Sequence, residues 1–221
     1  MMAELTTTQT LQTDTWMQAT WSQFVATAYS ETYQNGQAYY DDGQMRIEMA
    51  PLGSAHGQDN SLISTVVTLY GLVKSLPLKE LINTSFRKTG VRECQPDLAY
   101  YIGANLPELP RDNAPIDVDQ SGAPTLVVEV GATSFSDDLG SKRLLYEQFG
   151  VEEYWVINTQ EKEAIAFAIA DGRSGRILVS QVLPELSLAL VNQALRRSIT
   201  ADTSSIGRWL LQNYDDSEQI L

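Results

Sequence analysis

Apolar and polar positions along this chain alternate with two different periods, and the switches between them outline the elements. Trp21, Phe24, Val25 and Ala28 share one face of a short helix predicted over residues 16–29. A hairpin follows, in which QAYY and QMRIEMA are joined by DDG. Gly43 there can take the positive φ that a tight turn demands, and Pro51 and Gly53 end the pair. From Ser54 to Leu76, the residues Leu62, Val66, Leu69 and Val73 recur at spacings of four, three and four, which predicts a long amphipathic helix capped by Ser54 and stopped by Pro77. INTSFRKT and PDLAYYIG read as short strands, and a loop rich in Pro, Asn and Asp runs from about residue 104 to 124.

TLVVEV is apolar on both faces, as in the middle of a covered sheet. Residues 136–148 predict a helix with Ser136 as cap, Asp137 and Asp138 in its first turn and Gly150 just past its end. EYWVIN is a further strand, and EAIAFAIA and RILVSQVL flank DGRSG as a closing hairpin. LPELSLALVNQALRR and a polar C-terminal tail complete the chain. Residues 1–15, rich in Thr and Gln, read as a mobile tail, leaving one domain over 16–221. The central order of helix, three strands, helix and strand predicts an α/β fold, a mixed sheet flanked by helices with a hairpin at each end of the domain.

Composition narrows the function classes. A chain of 221 residues with 43% hydrophobic content fills one core. No apolar run approaches the roughly 20 residues that cross a bilayer, and MMAELTTTQTLQTDT lacks the basic start and apolar stretch of a secretory signal. The expectation is a cytoplasmic protein with no membrane partner. Cys94 is the single cysteine, which excludes an internal disulfide or a thiolate cluster and reads as a small, half-buried residue. A net charge of -13 opposes broad attraction to a polyanion. A local basic group (Lys79, Arg87, Lys88, Arg92) or metal ions held by acidic side chains would still allow phosphate binding.

Three carboxylates stand at or near strand ends: Glu48 in MRIEMAP, Asp97 in QPDLAYY and Glu129 in VVEVG. If the strands carrying Asp97 and Glu129 are neighbours, both side chains point into one cleft. Their repulsion, about 3 kcal/mol at an effective dielectric near 20, then needs a shared proton, a salt bridge or a divalent cation. A hard ion such as Mg²⁺ takes one or two carboxylates together with waters and phosphate oxygens. Lys142, in the second turn of the predicted helix, lies within reach of Glu129 across the strand edge and could position an attacking water or stabilise charge in a transition state. His56 is the only histidine and cannot build a zinc site alone. Asp137 and Asp138 read as helix-start acids and Tyr100 and Tyr101 as sheet packing.

Pro96-Asp97, the strand-borne Glu129 and the order αβββαβ resemble the PD-(D/E)XK nuclease superfamily. IEMAP with the following His56, QPDLAYYIG, and the block from Pro124 to Asn158 resemble more specifically the Uma-type restriction endonuclease family, over roughly residues 16–195. The resemblance implies a restriction-endonuclease-like core and Mg²⁺-dependent (or Mn²⁺-dependent) hydrolysis of DNA phosphodiesters. Asp97 and Glu129 would be metal ligands, Glu48 an additional acid, and His56 a residue at the site edge. The superfamily's lysine follows the acid by two positions, where this chain has Gly131, so its role passes to Lys142. Two-strand cleavage implies a homodimer, with the apolar closing hairpin as candidate interface. Two rivals stand beside this reading: a nuclease-fold binding or interaction protein without activity, and a nuclease acting on RNA or branched nucleic acid.

Overall fold

The computed structural model of the chain describes residues 11–49, 53–131 and 134–215. The first elements are β1 (Met17–Gln18) and α1 (Trp21–Ala28). Thr20 caps α1 reciprocally, its hydroxyl accepting the Gln23 N–H while Gln23 Oε1 accepts the Thr20 N–H. The predicted helix therefore begins at Trp21, because Met17 and Gln18 pair with the hairpin instead. That hairpin is β2 (Gln37–Asp41) and β3 (Gln44–Glu48), turning at Asp42 and Gly43, both at positive φ. Upstream, the Asp14 N–H donates to Ile47 O, while residues 1–10 of the expected tail, like Pro51, lie outside the described residues.

The long helix is α2 (Ser54–Val73), but Gly53 occupies its cap, and Ser54, already helical, does not serve as one. Then come β4 (Leu78–Ile82), β5 (Phe86–Lys88), β6 (Arg92–Cys94) and β7 (Leu98–Ile102). The single strand expected from INTSFRKT is split because Asn83, at φ 50°, turns the chain from one sheet to another. The loop expected over 104–124 contains β8 (Ile116–Asp117) and α3 (Val118–Ser121) before β9 (Leu126–Gly131).

The helix predicted over 136–148 is two, α4 (Phe135–Leu139) and α5 (Ser141–Phe149), broken at Gly140, whose φ of -105° and ψ of -103° are not helical. Ser134, not Ser136, stands at the cap of α4. β10 (Glu153–Asn158), β11 (Glu163–Ala170) and β12 (Arg173–Ile177) follow. The closing hairpin turns at Asp171 and Gly172, so its second strand is RSGRI rather than RILVSQVL, and Leu178 and Val179 stay exposed beyond it. Finally α6 (Leu188–Arg197) is capped by Ser187, and α7 (Thr203–Asp215) occupies what reads as a polar tail. Ile206, Leu210 and Tyr214, four apart, are buried in the main core and explain why α7 forms.

These strands make two six-stranded sheets, one ordered β1-β3-β2-β6-β5-β8 and the other β12-β11-β10-β9-β7-β4. The second sheet is mixed: β4, β7 and β9 run antiparallel in turn, and β9 and β10 are parallel, joined by the crossover through α4 and α5. One face packs Leu98, Val128, Val130 and Trp155 against Ile63 and Val66 of α2 and Val191 of α6. The other packs Ala99, Val127 and Val156 against Leu145 and Tyr146 of α5 and against Tyr39, Phe86 and Cys94 of the first sheet. Burial on both faces is why TLVVEV shows no polar alternation, each such side chain contributing about 1.5–3 kcal/mol. Cys94 is fully buried rather than half-buried, and burial pushes its thiol pKa up. Among the described residues no helix is long and apolar enough to cross a membrane.

Candidate active site

Alternation along β9 sends Val128 and Val130 into the α2 layer and leaves Val127 and Glu129 facing α5. Leu98 pairs with Val128, and the same register carried one residue further sets Asp97 opposite Glu129, on the face of Ala99. Backbone pairing fixes Asp97 firmly. Its Oδ2 accepts the Val130 N–H at 2.8 Å, and its main-chain oxygen accepts the Asn83 N–H at 3.0 Å. Gln37 Nε2 donates to Asp97 Oδ1 at 3.1 Å, and His56 Nε2, arriving from the first turn of α2, lies 3.2 Å from the same oxygen. The hydrogen bond to Asp97 raises the His56 pKa, outweighing the opposing effect of burial.

Glu129 is almost wholly shielded, at 1% exposure. Its Oε1 accepts from Tyr146 at 2.6 Å and from Tyr39 at 3.1 Å. Burial pushes its pKa well up; the Lys142 charge pulls it down, and Asp97 and Asp138 push it up again. Lys142, also 1% exposed, projects from the first turn of α5 into this group. Its Nζ stands 3.0 Å from Glu48 Oε2, 3.0 Å from Asp138 Oδ1, 3.9 Å from Glu129 Oε1 and 4.2 Å from the centre of the Tyr39 ring. Burial alone would lower the ammonium's pKa, but Glu129, Asp138 and Glu48 outweigh it and the net shift is upward. At 3 Å and an effective dielectric near 20 each such contact is worth about 5 kcal/mol of gross attraction, against a desolvation cost of several kcal/mol per ion.

The structure brings together all five residues singled out in the sequence: Asp97, Glu129 and Lys142, with Glu48 and His56 beside them. Glu48 has both oxygens engaged, Oε1 by Arg46 at 2.6 Å and Oε2 by Lys142. Asp138 belongs to the same group and is no mere helix-start acid: it is fully buried, with Oδ2 accepting from Ser134 at 2.8 Å. Its spacing of four from Lys142 was the available signal. Asp137 points instead to Trp16 and Arg46. Tyr39, Tyr146 and Gln37 were not picked out, and only the packing of the first sheet and α5 over the second reveals them.

Gly131 explains where the lysine sits. A side chain at that position would overlap Asp138 Oδ2 and come within 2.7 Å of Ser134 Oγ, because the start of α4 folds back against the strand end. The ammonium therefore enters from α5. The basic group before Asp97 is largely spent internally: Lys79 donates to Pro107 O, Arg87 pairs with Glu93 and Arg92 with Asp41. Tyr100 and Tyr101 are packing residues, donating to Glu80 and to Gly122 O.

Four carboxylates, Glu48, Asp97, Glu129 and Asp138, thus share one ammonium, one guanidinium and the His56 imidazole. Among the described residues no three His, Cys, Asp or Glu side chains close into a metal cage. The donors are hard oxygens in negative excess, which fits an ion that takes one or two carboxylates and completes its shell with water and phosphate oxygen.

The family model described as "Uma2: Putative restriction endonuclease" matches residues 21–202. A crystal structure described as a "putative nuclease belonging to DUF820" from Anabaena variabilis ATCC 29413 superposes with a TM-score of 0.50 at 16% identity, covering 87% of this chain and 99% of that one. At that identity the likeness is one of fold. No curated protein matches the chain.

Proposed function

This chain belongs to the Uma2 family, and from that membership we propose that it is a divalent-metal-dependent endonuclease hydrolysing DNA phosphodiester bonds. The observation that carries the reading is the pairing of Asp97 and Glu129 on one sheet face, with the Lys142 ammonium 3.9 Å from Glu129 and His56 3.2 Å from Asp97. Asp97 and Glu129 would hold Mg²⁺ or Mn²⁺, which supplies charge for the phosphate oxygens and a more acidic water. Lys142 holds the Glu129 carboxylate in place and offers positive charge where negative charge builds on the phosphorus oxygens. Glu48, with both oxygens occupied, contributes by fixing that ammonium, and the Asp97 contact orients His56 at the rim. Cleavage of both strands by a homodimer in the cytoplasm completes the reading.

Supercoiled plasmid incubated with the purified chain and Mg²⁺ or Mn²⁺ tests it. Nicked or linear product is expected, reduced at least about a hundredfold in Glu129→Ala and in Lys142→Met. No product, together with no metal-dependent rise in melting temperature, would sink the proposal. Such a result would favour a binding protein without activity, the reading that the near-complete burial of Lys142 supports. Cleavage confined to RNA or to branched junctions would move the substrate and leave the chemistry in place.

A further inference from the structure

The oxygens of the two paired acids are not equally open to an ion. Glu129 Oε1 accepts the Tyr146 hydroxyl at 2.6 Å, receives the Tyr39 hydroxyl at 3.1 Å and lies 3.9 Å from Lys142 Nζ. Its Oε2 has only the longer approach of Tyr39, at 3.4 Å. Asp97 divides in the same manner: Oδ1 faces Gln37 Nε2 and His56 Nε2, while Oδ2 accepts the single Val130 N–H. A carboxylate oxygen has two lone pairs, so Glu129 Oε2 and Asp97 Oδ2 are the oxygens with acceptor capacity to spare. We propose that Tyr146, assisted by Tyr39, holds Glu129 as a one-oxygen ligand and so makes the site select Mg²⁺ or Mn²⁺ against Ca²⁺; the assignment rests on the metal-binding part of the reading above.

Ion chemistry carries the choice. Mg²⁺ is small, keeps several waters and takes one or two carboxylates, whereas Ca²⁺ gathers roughly six to eight oxygens and often grips a carboxylate by both of its own. To offer both oxygens, Glu129 would have to give up the Tyr146 hydroxyl, the shortest of its bonds. Tyr146 is fully buried on α5 with the Tyr154 ring 4.8 Å from its own, so it has no room to swing aside. Tyr39 has a single hydroxyl proton to divide between Glu129 and Gln95 O at 3.0 Å, which makes it the weaker holder of the two. Glu48 and Asp138 do not raise the oxygen count, because Arg46, Lys142 and Ser134 engage their carboxylates. Partners that orient a ligating group in this way are worth roughly 10–100-fold in metal affinity.

The test uses the full-length chain and the ions alone, with Mn²⁺ binding read from the electron paramagnetic resonance signal of the free ion and Mg²⁺ and Ca²⁺ as competitors. Ca²⁺ is expected to displace Mn²⁺ at least about tenfold less effectively than Mg²⁺ does, and Tyr146→Phe to reduce that ratio about tenfold. Tyr39→Phe should move it the same way by less, and it carries the test should Tyr146→Phe not fold. Tyr154→Phe is the control: this equally buried hydroxyl donates to Asp138 O and not to Glu129, so the ratio should stay at the parent's. A general loosening of the fold would instead weaken both ions alike. Ca²⁺ competing within about twofold of Mg²⁺ in the parent, a ratio unmoved in Tyr146→Phe and Tyr39→Phe, or one moved equally by Tyr154→Phe overturns the assignment. Plasmid cleavage is scored separately. Tyrosine-dependent selection without cleavage removes the nuclease reading alone; metal-dependent cleavage with an unmoved ratio removes the tyrosine assignment alone; no Mn²⁺ binding removes both.

Discussion

Lys142 sits among Glu48, Glu129 and Asp138 in a protein interior, where none of these charges can be left without the others. Lys142→Met should therefore cost about 3–5 kcal/mol of unfolding free energy in urea, because it strands buried carboxylates rather than merely deleting one contact. Glu129→Gln should show itself instead in the pH dependence of stability. The folded pKa of Glu129 lies above the ordinary value of about 4.3, so above that pH the native chain keeps a proton that the unfolded chain has released. Stability then falls as pH rises through the window between the two values. The His56 shift has the same sign in a higher window: the stability from its contact with Asp97 is complete below about pH 6.5 and is lost as pH climbs past the raised value. Urea titrations between about pH 4 and pH 9 should show Glu129→Gln flattening the lower limb and His56→Gln the upper one. An unchanged pH slope in either variant would contradict its assignment.

The join between β9 and α4 decides which residue can carry the cation. Gly131→Ala should lower stability by about 1–3 kcal/mol, since the added methyl group displaces Asp138 from the Lys142 contact. Gly131→Lys should fail to restore plasmid cleavage to Lys142→Ala, although it recreates the spacing of the superfamily motif. Strands such as TLVVEV and EYWVIN were legible because burial on two faces leaves an unbroken apolar run. Glu129 stood out as a charge inside such a run, Asp97 as the acid after Pro96 at the head of another strand, and Lys142 as the cation on the helix that follows Glu129. The break at Gly140 and the true caps at Gly53 and Ser134 were not legible, because backbone angles at a helix end depend on what the preceding loop packs against. Tyr39 and Tyr146 looked like ordinary core aromatics for a similar reason. Their hydroxyls acquire a role only once two elements distant in sequence close over Glu129.

For the molecule as a whole, the layer of α2, α6 and α7 is as much a part of the fold as the layer that bears the acids. Tyr214 donates to Val66 O at 3.0 Å and its ring meets Tyr70 edge-on, so α7 seals α2 from the outside. Truncation after Thr200 should expose this core and lower the melting temperature sharply, with aggregation visible by light scattering. The signal for it was in the sequence, since Ile206, Leu210 and Tyr214 recur every four residues with Trp209 beside them, but the polar residues around them made the stretch read as a tail. The pairing of β7 with β9 has one more effect. A slip by a single residue would turn Glu129 toward Val66 and Trp155 and hand valines to the ammonium, an arrangement ruinous on both sides of the sheet. The buried carboxylates thus disfavour any misaligned pairing of these two strands, so the groups gathered at the rim of the sheet also help to set its register.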